Sequence, residues 1–252
     1  MRLIVLGSGT SIPLSYRASP SVMLNIDGDI LLLDMGPGTL RQLARAGINN
    51  SSIDHVLLSH FHPDHTADLV HFLFVTRNPN IFNNRKPFII SGSGGLKELI
   101  ANLRRAYPRW LEIPEDIMTI EEFSNFETTD THYTKYTVHT YPVEHTESSL
   151  AYRIEDRNGK NIVYAGDTGF DEGISAFASG TDLLILECSL PENSEGHLTP
   201  AQAGHLAALS GARKLLLVHF YPEVLSTDIT GECRKNYNGE LILGRDMLQL
   251  YI

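Results

Sequence analysis

Short runs of aliphatic and β-branched residues recur from one end of the chain to the other, each closed off by Gly, Pro, Asn or Asp. That pattern predicts strands over residues 3–6, 22–26, 30–33, 56–58, 88–90, 136–141, 150–154, 162–165, 183–186, 214–218 and 240–243. Between several of them apolar residues fall three and four apart, which predicts helices over 39–46, 66–76, 95–106, 200–210 and, more weakly, 223–234. Strand pairs come first, including a hairpin from Ile26 to Ile30 across Asp27-Gly28-Asp29, and strand–helix–strand alternation follows. This mixture fits layered sheets of mixed direction better than a doubly wound parallel sheet. Residues 108–136, rich in Pro, Glu, Thr and Asn, are expected to form an extended loop or a small strand insertion. No repeat, low-complexity tract or Gly/Ser linker interrupts the chain, so one domain over residues 1–252 is expected.

Composition narrows the function. A chain of 252 residues, 42% of them hydrophobic, can bury a large core unaided, so a metal site is free to serve chemistry rather than folding. Thirty acidic residues against twenty basic ones leave a net charge of −10, which argues against a broad, sequence-blind grip on nucleic acid. Cys188 and Cys233 are too few for a disulfide framework. The opening residues lack a secretory pattern and no apolar run reaches the length of a membrane span, so a soluble cytoplasmic protein is expected.

The histidines carry the strongest signal. His60-Phe61-His62-Pro63-Asp64-His65 packs three imidazoles and a carboxylate into six residues at the end of an apolar strand. His60 and His62, two apart, point the same way while the chain is extended, and Asp64 and His65 follow as it turns into a helix. Imidazole and carboxylate suit zinc or a similar divalent ion without any thiolate, and one such turn can feed two metal sites. Further ligands are expected where a His or Asp ends another strand. His145 follows one in Pro142-Val143-Glu144-His145, Asp167 follows another in Tyr164-Ala165-Gly166-Asp167, and His219 follows Leu215-Leu216-Leu217-Val218. Gly166 lets the backbone turn sharply and bring the Asp167 carboxylate outward.

Together with Asp34 in Leu33-Asp34-Met35-Gly36-Pro37-Gly38, these residues stand in the order of five motifs: an Asp after an early strand, His-x-His-x-Asp-His, a single His, a single Asp and a final His. The arrangement resembles the metallo-β-lactamase superfamily over almost the whole chain. The resemblance implies an α/β fold, an αββα sandwich of two mixed sheets, with the site at the sheet edges. It implies two divalent ions, zinc before manganese or iron. One is held by His60, His62 and His145, the other by Asp64, His65 and His219, with Asp167 bridging and Asp34 orienting the ligand turn.

Between the last Asp and the last His the chain reads Leu186-Glu187-Cys188-Ser189 and then His197-Leu198-Thr199-Pro200, which is similar to ribonuclease Z and its phosphodiesterase relatives. So are the start Leu6-Gly7-Ser8-Gly9-Thr10 with Arg17 and Ser19, and Gly92-Ser93-Gly94-Gly95. Cleaving a phosphodiester requires a nucleophilic hydroxide, charge stabilisation and a proton for the departing oxygen. Two metals serve the first two needs, so the expected reaction has a metal-bridging hydroxide attacking phosphorus. His197 held by Glu187 is expected to supply the proton, and Asp64 to orient the attacking water. Cys188 is expected to pack in the core. The two glycine-rich segments lack a full dinucleotide pattern and read as tight turns.

One departure matters. Ribonuclease Z carries a long arm for tRNA between the single His and the bridging Asp, where this chain has only 22 residues from His145 to Asp167. A small phosphodiester or short nucleic-acid end is therefore a better substrate expectation than tRNA. Arg104, Arg105 and Arg109 with Tyr107 and Trp110 could contact a phosphate or base, or form a solvated helix face. Residues 108–136 are expected to shape the pocket mouth or to bind a second copy in a homodimer. The competing chemistry is hydrolysis of a carbonyl substrate, such as a lactone, thioester or β-lactam, with Glu187 and His197 idle. A non-catalytic binding module stands behind both.

Overall fold

The computed structural model describes residues 1–252. Fourteen strands form two seven-stranded sheets. The first sheet is built from β1 (Arg2–Gly7), β2 (Ser21–Ile26), β3 (Asp29–Leu33), β4 (Ile53–Leu57), β5 (Phe88–Ser93), β6 (Met118–Phe123) and β14 (Gln249–Tyr251). Its order is β14-β1-β2-β3-β4-β5-β6. The second holds β7 (Asp130–His132), β8 (Tyr136–Pro142), β9 (Leu150–Asp156), β10 (Asn161–Tyr164), β11 (Leu183–Glu187), β12 (Lys214–Val218) and β13 (Glu240–Leu243). Its order is β13-β12-β11-β10-β9-β8-β7. Each sheet is antiparallel on one side and parallel on the other, the change falling at β3 and at β10. These are the mixed sheets of the expected sandwich.

Alternation along single strands explains the layering. Leu3 and Val5 face the second sheet and meet Ile154, Ile162, Ile185 and Leu216, whereas Ile4 and Leu6 turn outward onto Leu40, Leu43 and Phe72. On the other side Leu184 and Leu186 face helix Pro200–Ser210 through Ala203, Leu206 and Ala207. Both faces of the central strands are thus covered, which is why they read as unbroken apolar runs. The hairpin at Asp27-Gly28 pairs Ile26 with Asp29 and holds both turn residues at positive φ, 50° and 90°, the backbone a twisted two-residue turn requires.

Several boundaries depart from the sequence reading. The strand expected over 56–58 starts at Ile53, and that over 88–90 runs on to Ser93, so Gly92 belongs to β5 and only Gly94-Gly95 turn. The stretch 108–136 carries β6 and β7 and takes the chain from the first sheet to the second. β14 brings it back to pair with β1. The helix expected over 66–76 divides into Pro63–Thr66 and Asp68–Thr76, and that over 223–234 into Pro222–Leu225 and Ile229–Arg234. Short helices at Pro79–Phe82 and Gly173–Phe177 had no periodic signal to reveal them. No helix is long and apolar enough to cross a membrane.

Candidate active site

The carboxyl ends of strands from both sheets converge on one pit. β3 ends beside Asp34, β4 leads into 58–62, and β8, β10, β11 and β12 lead to His145, Asp167, Glu187 and His219. After β4 the chain stays extended through His62, and Pro63 then opens the helix Pro63–Thr66, its fixed φ suiting a first helical position. The extended part turns His60 and His62 the same way, with ring centroids 4.7 Å apart, and the helical part turns Asp64 and His65 in after them.

His60, His65, Asp167 and His219 are buried, Asp64 and His145 half-buried, and His62 exposed at the mouth. Ligand atoms of His60, His62 and His145 lie within 4.8 Å of one another, as do those of Asp64, His65 and His219. The Asp167 carboxylate stands between the groups, Oδ1 at 3.2 Å from His65 Nε2 and 3.3 Å from His219 Nε2, with Oδ2 at 3.9 Å from His145 Nε2. All seven residues singled out from the sequence are brought together.

Hydrogen bonds around the rim fix which nitrogen of each imidazole faces the centre. Ser59 Oγ donates to Asp34 Oδ2 (2.7 Å) and so accepts from His60 Nδ1 (3.0 Å). His65 Nδ1 donates to Asp34 Oδ2 (2.7 Å), and His145 Nδ1 to the Gly196 carbonyl (2.8 Å). Ser189 Oγ donates to the His219 carbonyl and accepts from His219 Nδ1 at 2.8 Å. All four rings therefore turn Nε2, and not Nδ1, to the pit, where it is a lone pair whenever the ring is neutral. The His65 and His219 Nε2 atoms face each other at 3.4 Å, and His60 Nε2 and Asp167 Oδ1 are buried with no hydrogen-bond partner. Ring nitrogens and carboxylate oxygens gathered this closely call for cations, protons or metals, and an all-nitrogen and oxygen set fits divalent metals.

The electrostatics agree. Burial opposes a charge on His65, yet Asp167 and Asp34 outweigh it and hold its proton well above the usual histidine range. Burial likewise opposes the Asp167 carboxylate, but His219 and His65 hold it well below the usual range. A proton on this cluster occupies the place a metal takes.

Asp34 is the hub of the support. It lies fully buried at φ 61° and accepts from Ser59 N (2.7 Å) and Tyr164 OH (2.6 Å) besides Ser59 Oγ and His65. His219, at φ 58°, is the other residue of the pit in a left-handed conformation that non-glycine residues seldom adopt. Gly166 has φ 63°, and a Cβ there would lie 2.6 Å from Ser59 Oγ. Gly166→Ala is therefore expected to destabilise the fold by more than ~1 kcal/mol and to displace both Ser59 and Asp167. Thermal unfolding and metal content of the purified variant measure the two effects.

Glu187, buried at the end of β11, accepts from Thr168 N (2.9 Å) and from His197 Nδ1 (2.8 Å). Burial lowers the His197 pKa, but the hydrogen bond to Glu187 and the negative charges of Glu187, Asp167 and Asp64 together more than offset it, so the imidazole holds its proton above the usual value. A ring nitrogen of His197 lies within 4.8 Å of ligand atoms of Asp167 and His219, which places it over the same pit. Cys188 packs in the core beneath. Ser59, Tyr164, Ser189 and the Gly196 carbonyl escaped the sequence reading. Ser59 and Gly196 directly precede His60 and His197, and Ser189 follows Glu187 by two, so adjacency to a marked residue was the available signal.

Comparison with known proteins follows the same line. A Ribonuclease Z from Streptomyces avermitilis is 26% identical over 302 aligned positions, covering 98% of this chain and 96% of that protein. At least fifty of those positions have no counterpart in the 252 residues here. The metallo-beta-lactamase fold protein YhfI from Bacillus subtilis superposes with a TM-score of 0.85 at 23% identity, over 99% of this chain and 98% of that one. Human tRNase Z, short form, gives 0.81 at 22% identity over 100% and 99%. The Beta-lactamase superfamily domain matches residues 30–220, a span that opens just before Asp34 and closes just after His219. The chain belongs to that superfamily, with ribonuclease Z among its full-length likenesses.

Proposed function

We propose that the protein is a metal-dependent phosphodiesterase related to ribonuclease Z. The observation that carries this reading is the 2.8 Å Glu187–His197 pair set over the ligand cluster, a positioned proton donor for a departing oxygen, in a chain whose full-length likenesses include ribonuclease Z. His60, His62 and His145 would hold one divalent ion and Asp64, His65 and His219 the other, with Asp167 shared. The imidazole-rich set favours zinc, with manganese or iron as alternatives. Two such ions supply an activated water and a clamp on the phosphoryl oxygens. Asp64, half-buried beside His219, would orient that water and accept its proton. Glu187 holds His197 protonated and fixes its ring, and His197 delivers its Nε2 proton to the departing oxygen.

The substrate reading is a small phosphodiester or the end of a short nucleic acid. Strands β9 and β10 are joined by residues 157–160 alone, so nothing projects there to hold a folded RNA, and the net charge of −10 offers little to its backbone. The test compares bis(p-nitrophenyl) phosphate with a lactone and a β-lactam on metal-loaded protein. The diester is expected to be hydrolysed, with loss of activity on chelation and in His62→Ala. Turnover confined to the carbonyl substrates would sink the proposal.

A further inference from the structure

The proposed acid stands on a loop. His197 follows the exposed residues 191–195, and its backbone N–H donates to the Ser194 carbonyl of the same loop at 3.4 Å. The bond from Nδ1 to Glu187 fixes where one ring nitrogen lies, but a single hydrogen bond leaves the tilt of the ring about it open. Tilt decides whether Nε2 points at the pit. Three rings surround His197 and set it: His145 with centroids 5.0 Å apart at 56°, His219 at 5.9 Å and 18°, and Tyr221 at 6.1 Å and 73°. His145 and His219 belong to the ligand cluster, so Tyr221 is the wall of this box that has no place among the ligands.

Tyr221 is pinned at both ends. Its backbone follows the buried Phe220 and donates N–H to the Ser189 carbonyl at 3.4 Å. Pro222 comes next and keeps it extended, at φ −71° and ψ 157°, before helix Pro222–Leu225. At the far end of the side chain the hydroxyl meets Ser11 Oγ at 3.2 Å, across 210 positions of sequence, on the loop between β1 and β2. Between these ties the half-buried ring lies edge to face against His197 and also against His219, at 5.7 Å and 73°, the geometry in which aromatic rings attract one another. Ser189, whose carbonyl receives the Tyr221 N–H, also holds the His219 ring, so the wall beside the acid and a ligand of the pit share one anchor.

We infer that Tyr221 is a positioning residue for the acid: its ring keeps His197 tilted with Nε2 over the pit. The inference rests on the phosphodiesterase reading for what that proton does. Tyr221→Ala is expected to lower kcat about tenfold on thymidylyl-(3′→5′)-thymidine, whose departing sugar alkoxide needs the proton, and to cost far less on bis(p-nitrophenyl) phosphate, with metal content unchanged. Tyr221→Phe keeps the ring and is expected to retain most of the dinucleotide rate. In a His197→Ala background Tyr221→Ala is expected to cost nothing further. A readout free of turnover is the Cε1–Hε1 NMR cross-peak of His197 in zinc-loaded, histidine-labelled protein, identified by its absence in His197→Ala. It is expected to be single and sharp in the parent and in Tyr221→Phe, and broadened or split in Tyr221→Ala. Equal losses on both diesters, a further loss on top of His197→Ala, a Phe variant as slow as the Ala variant, or a cross-peak as sharp in Tyr221→Ala as in the parent would each overturn the inference. A parent that cleaves neither diester sinks the phosphodiesterase reading instead, and the cross-peak then decides alone whether Tyr221 holds the ring.

Discussion

His197→Ala lowers kcat on phosphodiesters with alkoxide leaving groups by about 10²–10⁴-fold, the usual worth of a positioned general acid, and leaves the metal content unchanged. Leaving-group basicity sets the size of the loss. An alkoxide departing into a pit walled by carboxylates must be protonated as it goes, and His197, held by Glu187 at 2.8 Å, is the group in place to do it. p-Nitrophenolate departs unaided, so the same variant loses far less on bis(p-nitrophenyl) phosphate. A loss that is equal on both substrates would mean that His197 positions metal or substrate instead of moving a proton. Glu187→Gln supplies the companion test. Because the bond to Glu187 and the surrounding carboxylate charges together outweigh burial and raise the His197 pKa, the active protonated form survives to higher pH than an ordinary histidine would allow. Activity disappears as pH rises through that raised value. Replacing Glu187 removes the stabilised charge, and the alkaline limb of the kcat profile moves to lower pH.

Asp34→Ala is expected to cost about 3–5 kcal/mol, the range for removing one partner from a buried charged network, and to weaken metal binding 10–100-fold. Three donors, Ser59 N, Ser59 Oγ and Tyr164 OH, lose their acceptor inside the protein, and His65 loses the bond that aims its Nε2 at the pit. A loss of that size is a large fraction of a typical 5–15 kcal/mol stability. Denaturant unfolding of the metal-free protein isolates the first effect, and competition with a chromogenic chelator the second. Asp34→Asn separates them, since Asn tolerates the φ of 61° and keeps the volume. Its amide nitrogen must face a donor, so part of the hydrogen-bond loss remains. A variant Asp34→Ala as stable and as metal-avid as the parent would reduce Asp34 to a turn residue.

The contrast between these two sites shows what a sequence can carry. His60, His62, Asp64 and His65 were legible because one turn bears them all, and His145, Asp167 and His219 because each closes an apolar run, where chain direction alone brings strand ends together. Tyr164 was not, since its tie to Asp34 joins residues 130 apart and leaves no local trace. Ser189 was not either, since its tie to the His219 ring joins residues 30 apart. Among strands, those buried on both faces announced themselves. The edge strand β6, Met-Thr-Ile-Glu-Glu-Phe, buries only its two ends, and β7 and β14 are three residues each. Such strands are held by the ladder of a neighbour more than by burial, and hydropathy does not register a ladder.

The ligand set is split between the layers: His60, His62, Asp64 and His65 hang from the first sheet, His145, Asp167 and His219 from the second. An ion bound among them is consequently a tie across the sandwich as well as a reagent. Since the unfolded chain cannot gather ligands 159 positions apart in sequence, binding favours the folded state, by about 4 kcal/mol when free metal stands a thousandfold above its dissociation constant. Metal starvation therefore acts twice, stopping turnover and loosening the seam between the sheets, so that the idle protein becomes the more readily degraded one.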